Sequence, residues 1–290
     1  VNAKTITQII ESSQGSLSCE LFPPKAGQPL DDAFAVVEAT AKLKPAFISI
    51  TNGASGSTGS HTVEVAEATQ RCGIPALAHL VCMGNSRADI DDTLSRLEKA
   101  GIRNVLALRG DVPPGGVQTG DFRYANQLMR HIEARGGFCV GGACYPEAHP
   151  EAPSIDSDLD ALKRKADSGC AFLTTQMFFD NSVLYSFASR LLKKGVTIPV
   201  LPAIMPVTNV KQFGRIVKLS GTSIPPRLRV ILDKFQDNPE AMLQAGIAYA
   251  TWQILDLVAN GITHVHLYAM NRPDIAGRIM ANLSELFPCA

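Results

Sequence analysis

The chain has 290 residues, 46% of them hydrophobic and 19% charged, which suits a globular fold with a large core. Lys plus Arg and Asp plus Glu each number 27, so no net charge draws it to nucleic acid or an anionic membrane, and any ligand must be chosen by local groups. No apolar run reaches the roughly 18 residues of a spanning helix, and residues 1–14 lack the basic and apolar regions of a secretory signal, so a cytoplasmic protein is expected.

In chain order, short apolar runs rich in β-branched residues predict strands at 16–22, 46–51, 75–81, 104–109, 138–144, 171–178, 198–204 and 263–269. Helical periodicity follows at 31–43, 86–100, 121–135, 156–169, 181–194, 209–219 and 239–260, several stretches opening on Asp, Asn or Ser and closing near Gly or Asn. Eight alternating units without a linker or charge block predict an α/β fold, a (β/α)8 TIM barrel forming a single domain over residues 1–290. A Pro-rich bend, GTSIPPRLRV, separates the last two helical stretches and predicts an extra helix before the last βα unit. An open dinucleotide-binding sheet lacks its GxGxxG loop, because residues 20–27 read ELFPPKAG. Residues 1–14 also carry helical character.

The seven cysteines, at positions 19, 72, 82, 139, 144, 170 and 289, are odd in number and form no CxxC pair. Neither a disulfide framework nor a zinc site is expected, and most of these thiols read as small buried hydrophobes.

In such a barrel the site is built where strands give way to the following loops. The polar residues there are Glu20, Thr51, His79, Arg109, Asp111, Tyr145, Gln176, Tyr268 and Arg272. Glu20 stands in an apolar run, where a desolvated carboxyl gains a pKa useful to a general acid; the same pattern fits a structural carboxylate paired with a cation. His79 reads either as a satisfied core histidine or as a working one. The run RGDVPPGG at 109–116 is explained as a turn by its Gly and Pro, but a turn accounts less well for Arg109 and Asp111 together at the rim. Arg164 and Lys165 fit a solvated helix face or an anion site. His264 and His266 alternate on one strand face, yet no nearby carboxylate or Cys completes a metal set, and none is expected.

Taken together, CELFPPK (19–25), SITNGA (49–54), AHL (78–80), LALRGDVPPG (106–115), YPEAHPEA (145–152), LKRKADSG (162–169), TQMFFD (175–180) and YAMNR (268–272) resemble the methylenetetrahydrofolate reductase family in order and spacing from about residue 16 to 285. The resemblance implies an FAD-containing oxidoreductase of one-carbon metabolism working in two stages. NADH or NADPH donates hydride to the flavin and leaves, and a methylenetetrahydrofolate then takes its place, yielding the methyl folate used in methionine synthesis. By motif position, Glu20 matches the general acid that helps to open the five-membered ring of the folate. Asp111 matches an acidic residue near flavin and pterin, and Gln176 a pterin-contacting amide. Thr51, His79, Arg109, Gly110, Tyr124, Ala125, Ala143, Tyr145, His149, Asp158, Arg164 and Lys165 match FAD-holding positions, the last two facing its diphosphate. Tyr268 and Arg272 match substrate-side positions.

Two departures stand out: Asn52 occupies a place where relatives commonly carry an aromatic residue, and Ala161 one where a hydrogen-bonding Asn occurs. The resemblance also implies a homo-oligomer and, with the sequence ending at residue 290, no C-terminal regulatory domain and no inhibition by adenosylmethionine. The competing readings are an FAD barrel like proline dehydrogenase, which shares neither RGDVPPG nor YPEAHPE, a flavin-free pterin-binding methyltransferase barrel, and a noncatalytic folate-binding module.

Overall fold

The computed structural model describes residues 4–24, 27–52, 61–111 and 119–287. Outside them lie Lys25 of the first motif, residues 53–54 of the second, most of the 109–116 turn and Cys289. In chain order the elements are α1 (Ile6–Ser12), β1 (Ser16–Leu21), α2 (Asp31–Ala41), β2 (Ile48–Ile50), α3 (Thr62–Arg71), β3 (Ala76–Val81), α4 (Arg87–Lys99), β4 (Asn104–Leu108), α5 (Ala125–Arg135), β5 (Cys139–Cys144), α6 (Ile155–Ala166) and β6 (Phe172–Thr175). They continue as α7 (Asn181–Lys193), β7 (Val200–Leu201), β8 (Ala203–Ile204), α8 (Val210–Ser220), α9 (Pro226–Phe235), α10 (Pro239–Ala259), β9 (His264–Leu267) and α11 (Pro273–Asn282).

All strand pairs are parallel, in the order β7-β6-β5-β4-β3-β2-β1-β9-β8. The two ends of that order are β7 and β8, neighbours in the chain, so the sheet curls round until it meets itself as an eight-unit barrel. The run expected as one strand at 198–204 is split at Pro202, which has no N–H to give a ladder. Val200–Leu201 pairs with β6 and Ala203–Ile204 with β9, while the Pro202 carbonyl accepts from His266 N at 2.9 Å.

Two further boundaries differ from expectation. The helix expected from residue 121 begins at Ala125 because Asp121 is engaged elsewhere: its carboxylate accepts from Arg87 N at 2.8 Å, at the start of α4. The expected extra helix is present as two, α8 and α9, standing between β8 and α10; Pro226 falls in the first turn of α9, where its missing N–H costs nothing.

Among the described residues the buried apolar side chains divide into three groups. The largest lies between sheet and helices and includes Leu17, Cys19, Leu21, Val265 and Leu267. A second fills the lower barrel interior with Phe47, Leu77, Leu106, Phe172 and Leu201, and α1 adds Ile6 and Ile9 to it. Asn104, the first residue of β4, seats α1 there by accepting from Ile6 N at 2.9 Å and donating to Lys4 O at 3.2 Å. The helix thus lies across the N-terminal end of the barrel. The third group joins α8, α9 and α10. Among the described residues no helix is long and apolar enough to cross a membrane.

Candidate active site

Side chains alternate along a strand, so the outward placement of Leu17, Cys19 and Leu21 turns Ser16, Ser18 and Glu20 into the barrel. Val265 and Leu267 likewise send His264 and His266 inward, and Leu77, packed inside, puts His79 on the inner face. The parallel register sets Glu20 beside Ser49 and Ser18 beside His266. A polar layer therefore sits above the apolar floor. Ser49 Oγ donates to Glu20 Oε2 at 3.4 Å and lies 2.9 Å from His266 Nε2, whose Nδ1 is 2.7 Å from Ser18 Oγ. His79 Nε2 stands 3.6 Å from Glu20 Oε2 and is buried with no hydrogen-bond partner. Tyr268, just past β9, donates its hydroxyl to Thr175 O at 2.9 Å, and its ring meets His266 edge-on.

Burial dominates the electrostatics of this layer. It pushes the Glu20 carboxyl up to about 8, against the opposing hydrogen bond from Ser49. The same desolvation takes His79 and His266 down to about 3, so both rings are neutral at physiological pH. The Tyr268 phenol is raised well above its ordinary value, first by burial and then by Glu20. Glu20 nevertheless keeps 20% of its side-chain surface open. A protonated carboxyl with an open edge, walled by neutral donors and acceptors, is arranged to give a proton to a ligand in the mouth.

Along one side of the mouth runs a charged rim from β4, β5 and α6. Arg109, directly after β4, forms a two-pronged ion pair with Glu151 at 2.5 and 3.0 Å, and feels Asp111 and Tyr145 as well. Gly110 adopts φ +89° and a Cβ there would lie 2.3 Å from Val81 Cγ1, so both conformation and space require glycine. The Tyr145 ring packs edge-on against His149, and Gln176 hydrogen-bonds the Tyr145 phenol. Asp158, buried near the start of α6, accepts from His149 N at 3.1 Å. Lys165 reaches inward from the last turn of α6 and donates to Ala143 O at 2.6 Å; burial lowers its pKa.

The sequence-derived residues thus fall into groups. Glu20, His79 and Tyr268 line the interior, and Arg109, Gly110, Asp111, Ala143, Tyr145, His149, Asp158, Lys165 and Gln176 gather along the rim. Thr51 and Asn52 are half-buried beyond β2, where the Thr51 carbonyl accepts from Thr62. Ala125 is buried at the start of α5 beside an exposed Tyr124, whose ring lies under the Arg123 guanidinium, and Ala161 is half-buried on α6.

Two expected members are turned elsewhere. Arg164 is exposed, because its neighbour Lys165 takes the inward face and successive helix residues point about 100° apart. Arg272 caps α11 and is held by Asp274 at 2.6 and 2.8 Å, a carboxylate only two residues on. Sequence reasoning singled out neither Ser18, Ser49 nor Glu151; an inward-facing serine in a strand carries no local signal of its partner. His264 and His266, considered for a metal, are occupied by serines: His264 Nδ1 lies 2.9 Å from Ser16 Oγ.

Comparison with known proteins adds a family. The model described as Methylenetetrahydrofolate reductase matches residues 5–284. Methylenetetrahydrofolate reductase (NADH) 1 of Arabidopsis thaliana is 37% identical over 96% of this chain, which spans 50% of that protein's length. The 5,10-methylenetetrahydrofolate reductase of Pectobacterium carotovorum subsp. carotovorum is 30% identical, with 97% of this chain and 94% of that protein covered. An uncharacterized protein from Clostridium thermocellum that binds two copies of 5-methyl-5,6,7,8-tetrahydrofolic acid shares the fold, with a TM-score of 0.66 at 14% identity over 97% of this chain and 98% of that one.

Proposed function

The chain belongs to the methylenetetrahydrofolate reductase family, and from that membership we propose that it reduces 5,10-methylenetetrahydrofolate to 5-methyltetrahydrofolate, with FAD carrying hydride from NADH or NADPH. The product would supply methyl groups for methionine synthesis. The observation that carries the reading is the Glu20 carboxyl, held protonated by burial yet open at the barrel mouth.

Two features of the chain support a flavin dinucleotide at this mouth. The His79 Nε2 is a buried polar atom without a partner, suited to a polar ring edge. The rim carries cations, Arg109 and Lys165, of the kind that hold a diphosphate. In this reading His79, Arg109, Gly110, Ala143, Tyr145, His149, Asp158 and Lys165 hold the flavin, with Thr51, Tyr124, Ala125 and Arg164 at the edge of its site. When bound, a flavin would supply a two-electron carrier between the nicotinamide and the folate.

The chain's own work falls on the folate. Gln176 and Tyr268 bind and orient the pterin, and Arg272 reaches the substrate once released from Asp274. As the five-membered ring opens, a carbon–nitrogen bond breaks; the nitrogen takes the Glu20 proton and the freed one-carbon unit takes the hydride. Glu20 recovers its proton from solvent through the mouth. Asp111, at the rim, contributes negative charge that lowers the flavin potential and steadies the cationic folate.

The experiment is anaerobic stopped-flow absorbance of the purified protein, first with NADH or NADPH and then with methylenetetrahydrofolate. Bleaching of a flavin band followed by its return on folate addition is expected. Bleaching without return would remove the folate from the reading, and a protein that takes up no flavin would end it.

A further inference from the structure

Behind Glu20 runs a buried chain of four side chains, Glu20–Ser49–His266–Ser18, that the proton transfer above does not use. Ser18, Ser49 and His266 are 2%, 0% and 1% exposed, so their hydrogen bonds are made with one another. Counting protons restricts how they can be made. Each serine has one hydroxyl proton, and the neutral His266 ring has one N–H.

Only two arrangements fill the chain. With the proton on Nδ1, His266 donates to Ser18, Ser18 donates to Val265 O at 3.3 Å, and Ser49 must give its proton to Nε2. Ser49 then can only accept from Glu20, which draws the acid proton to Oε2 and away from the mouth. With the proton on Nε2, His266 donates to Ser49, Ser49 donates to Glu20 Oε2, and Ser18 donates to Nδ1. Oε2 is now an acceptor, and the acid proton is left to Oε1, which has no hydrogen-bond partner among the described residues.

The distances separate the two. Hydroxyl donors sit closer to their acceptors than N–H donors do, about 2.7–2.8 Å against about 2.9–3.0 Å where the acceptor is oxygen. The Ser18–Nδ1 separation of 2.7 Å fits a hydroxyl donating to a bare ring nitrogen, and the Nε2–Ser49 separation of 2.9 Å fits a ring N–H donating outward. The Ser18 contact with Val265 O, at 3.3 Å, is the longer of its two. Phe47, stacked on the ring at 5.4 Å, and Tyr268, perpendicular to it at 5.5 Å, hinder a ring flip that would put carbons where the two nitrogens stand.

We propose that His266 is a positioning residue for the Glu20 acid: held by Ser18 with its proton on Nε2, it makes Ser49 a donor to Oε2 and so assigns the transferable proton to Oε1. The catalytic consequence rests on the reductase reading, whereas the tautomer does not. The chain ends at Ser18 and a backbone carbonyl, so it orients the acid and conducts no proton. The groups facing Glu20 are Ser49 from β2, His79 from β3, and His266 and Tyr268 from the last strand and its exit.

The test joins a spectrum to a rate. Long-range ¹H–¹⁵N correlation on histidine-labelled whole protein, with His266 assigned by its loss in His266→Gln, is expected to show the Nε2–H pattern between pH 7 and 8. Ser18→Ala leaves Nδ1 without a partner in either tautomer, and is expected to weaken the Nε2–H preference, slow flavin reoxidation by the folate about tenfold while flavin reduction stays within twofold, and carry the alkaline limb of the folate half-reaction to higher pH. Ser18→Thr, which keeps the hydroxyl, is expected to restore all three. An Nδ1–H ring in the unaltered protein would overturn the proposal, as would Ser18→Ala slowing both half-reactions alike or neither. Should Ser18→Ala fail to fold, the wild-type spectrum and the Ser18→Thr rates still decide it. A protein that never reduces the folate would remove the reductase reading, while the spectrum would continue to judge the tautomer.

Discussion

Phe22 and Asn271 hold one another at the rim of the barrel mouth, at the exits of two neighbouring strands: the Asn271 side-chain oxygen accepts from Phe22 N and its amide nitrogen donates to Phe22 O, each at 2.9 Å. The clasp joins the exit of β1, two residues beyond Glu20, to the exit of β9, three beyond Tyr268. It also explains a backbone oddity, since Met270 and Asn271 both adopt left-handed φ values, 53° and 55°. Asn tolerates that region better than most residues.

Replacing Asn271 separates the two contributions. Asn271→Gly keeps the backbone free to turn left-handed but loses the clasp, and should cost about 1–2 kcal/mol of stability for two partly exposed hydrogen bonds. Asn271→Ala loses the clasp and adds the strain of a left-handed alanine, roughly 1 kcal/mol more. Urea unfolding of the two variants checks the order; equal losses would mean that the backbone conformation carries no strain.

Glu20→Gln yields a prediction about stability as well as rate. The Glu20 pKa is raised from 4.5 to about 8 in the folded chain, so the contribution of its protonated form is full below pH 4.5 and is lost as pH climbs through 8. Glutamine cannot ionise and escapes that loss. The variant should therefore gain on the parent between pH 4.5 and pH 8 and level off above, by an amount on the order of a few kcal/mol, while its folate half-reaction falls by about 10²-fold or more. Parallel stability curves across that range would contradict a desolvated Glu20.

The histidines give the opposite slope. His79 and His266 titrate near 3 when folded and near 6.5 when exposed, so the stability they lend is complete above pH 6.5 and drains away as pH falls toward 3. His79→Gln should flatten the acid side of the stability profile by about one proton's worth of slope. Acid titration of thermal unfolding for both proteins reads this directly, and an unchanged slope would show that His79 is not held neutral.

Lys165 offers a test of the rim. Lys165→Met preserves the length of the buried stem and removes the ammonium that donates to Ala143 O. Flavin affinity should fall about 10- to 100-fold, some 1.4–3 kcal/mol, with the far-ultraviolet circular dichroism unaltered. Retention of flavin at parental affinity would take Lys165 out of the cofactor site.

Much of the barrel was legible because it is written in local alternation: the strands are short, largely apolar runs between helical stretches, and Glu20 is conspicuous as a carboxylate inside one of them. What escaped depends on partners distant in sequence or on competition close at hand. Asp121 resembles a helix start but serves α4, because Arg87 N reaches it first. Arg272 lies in a matching motif, yet Asp274 holds its guanidinium in the absence of a ligand. Arg164 and Lys165 read as one cationic pair, whereas helix geometry sends them to different faces. The Ser18–His266–Ser49 chain joins residues more than two hundred positions apart, and only the pairing of β1 with β9 as the barrel closes brings them together.

That closure has a counterpart at the other end. With α1 seated on Asn104 and its isoleucines packed under Phe47 and Phe172, the barrel is a cup rather than a pipe. A reactant that settled over Glu20 would find no rear exit among the described residues, and a successor would wait at the same door until it was vacated. Traffic through a single opening favours alternation, one guest at a time, over any scheme that seats both reactants at the bottom together.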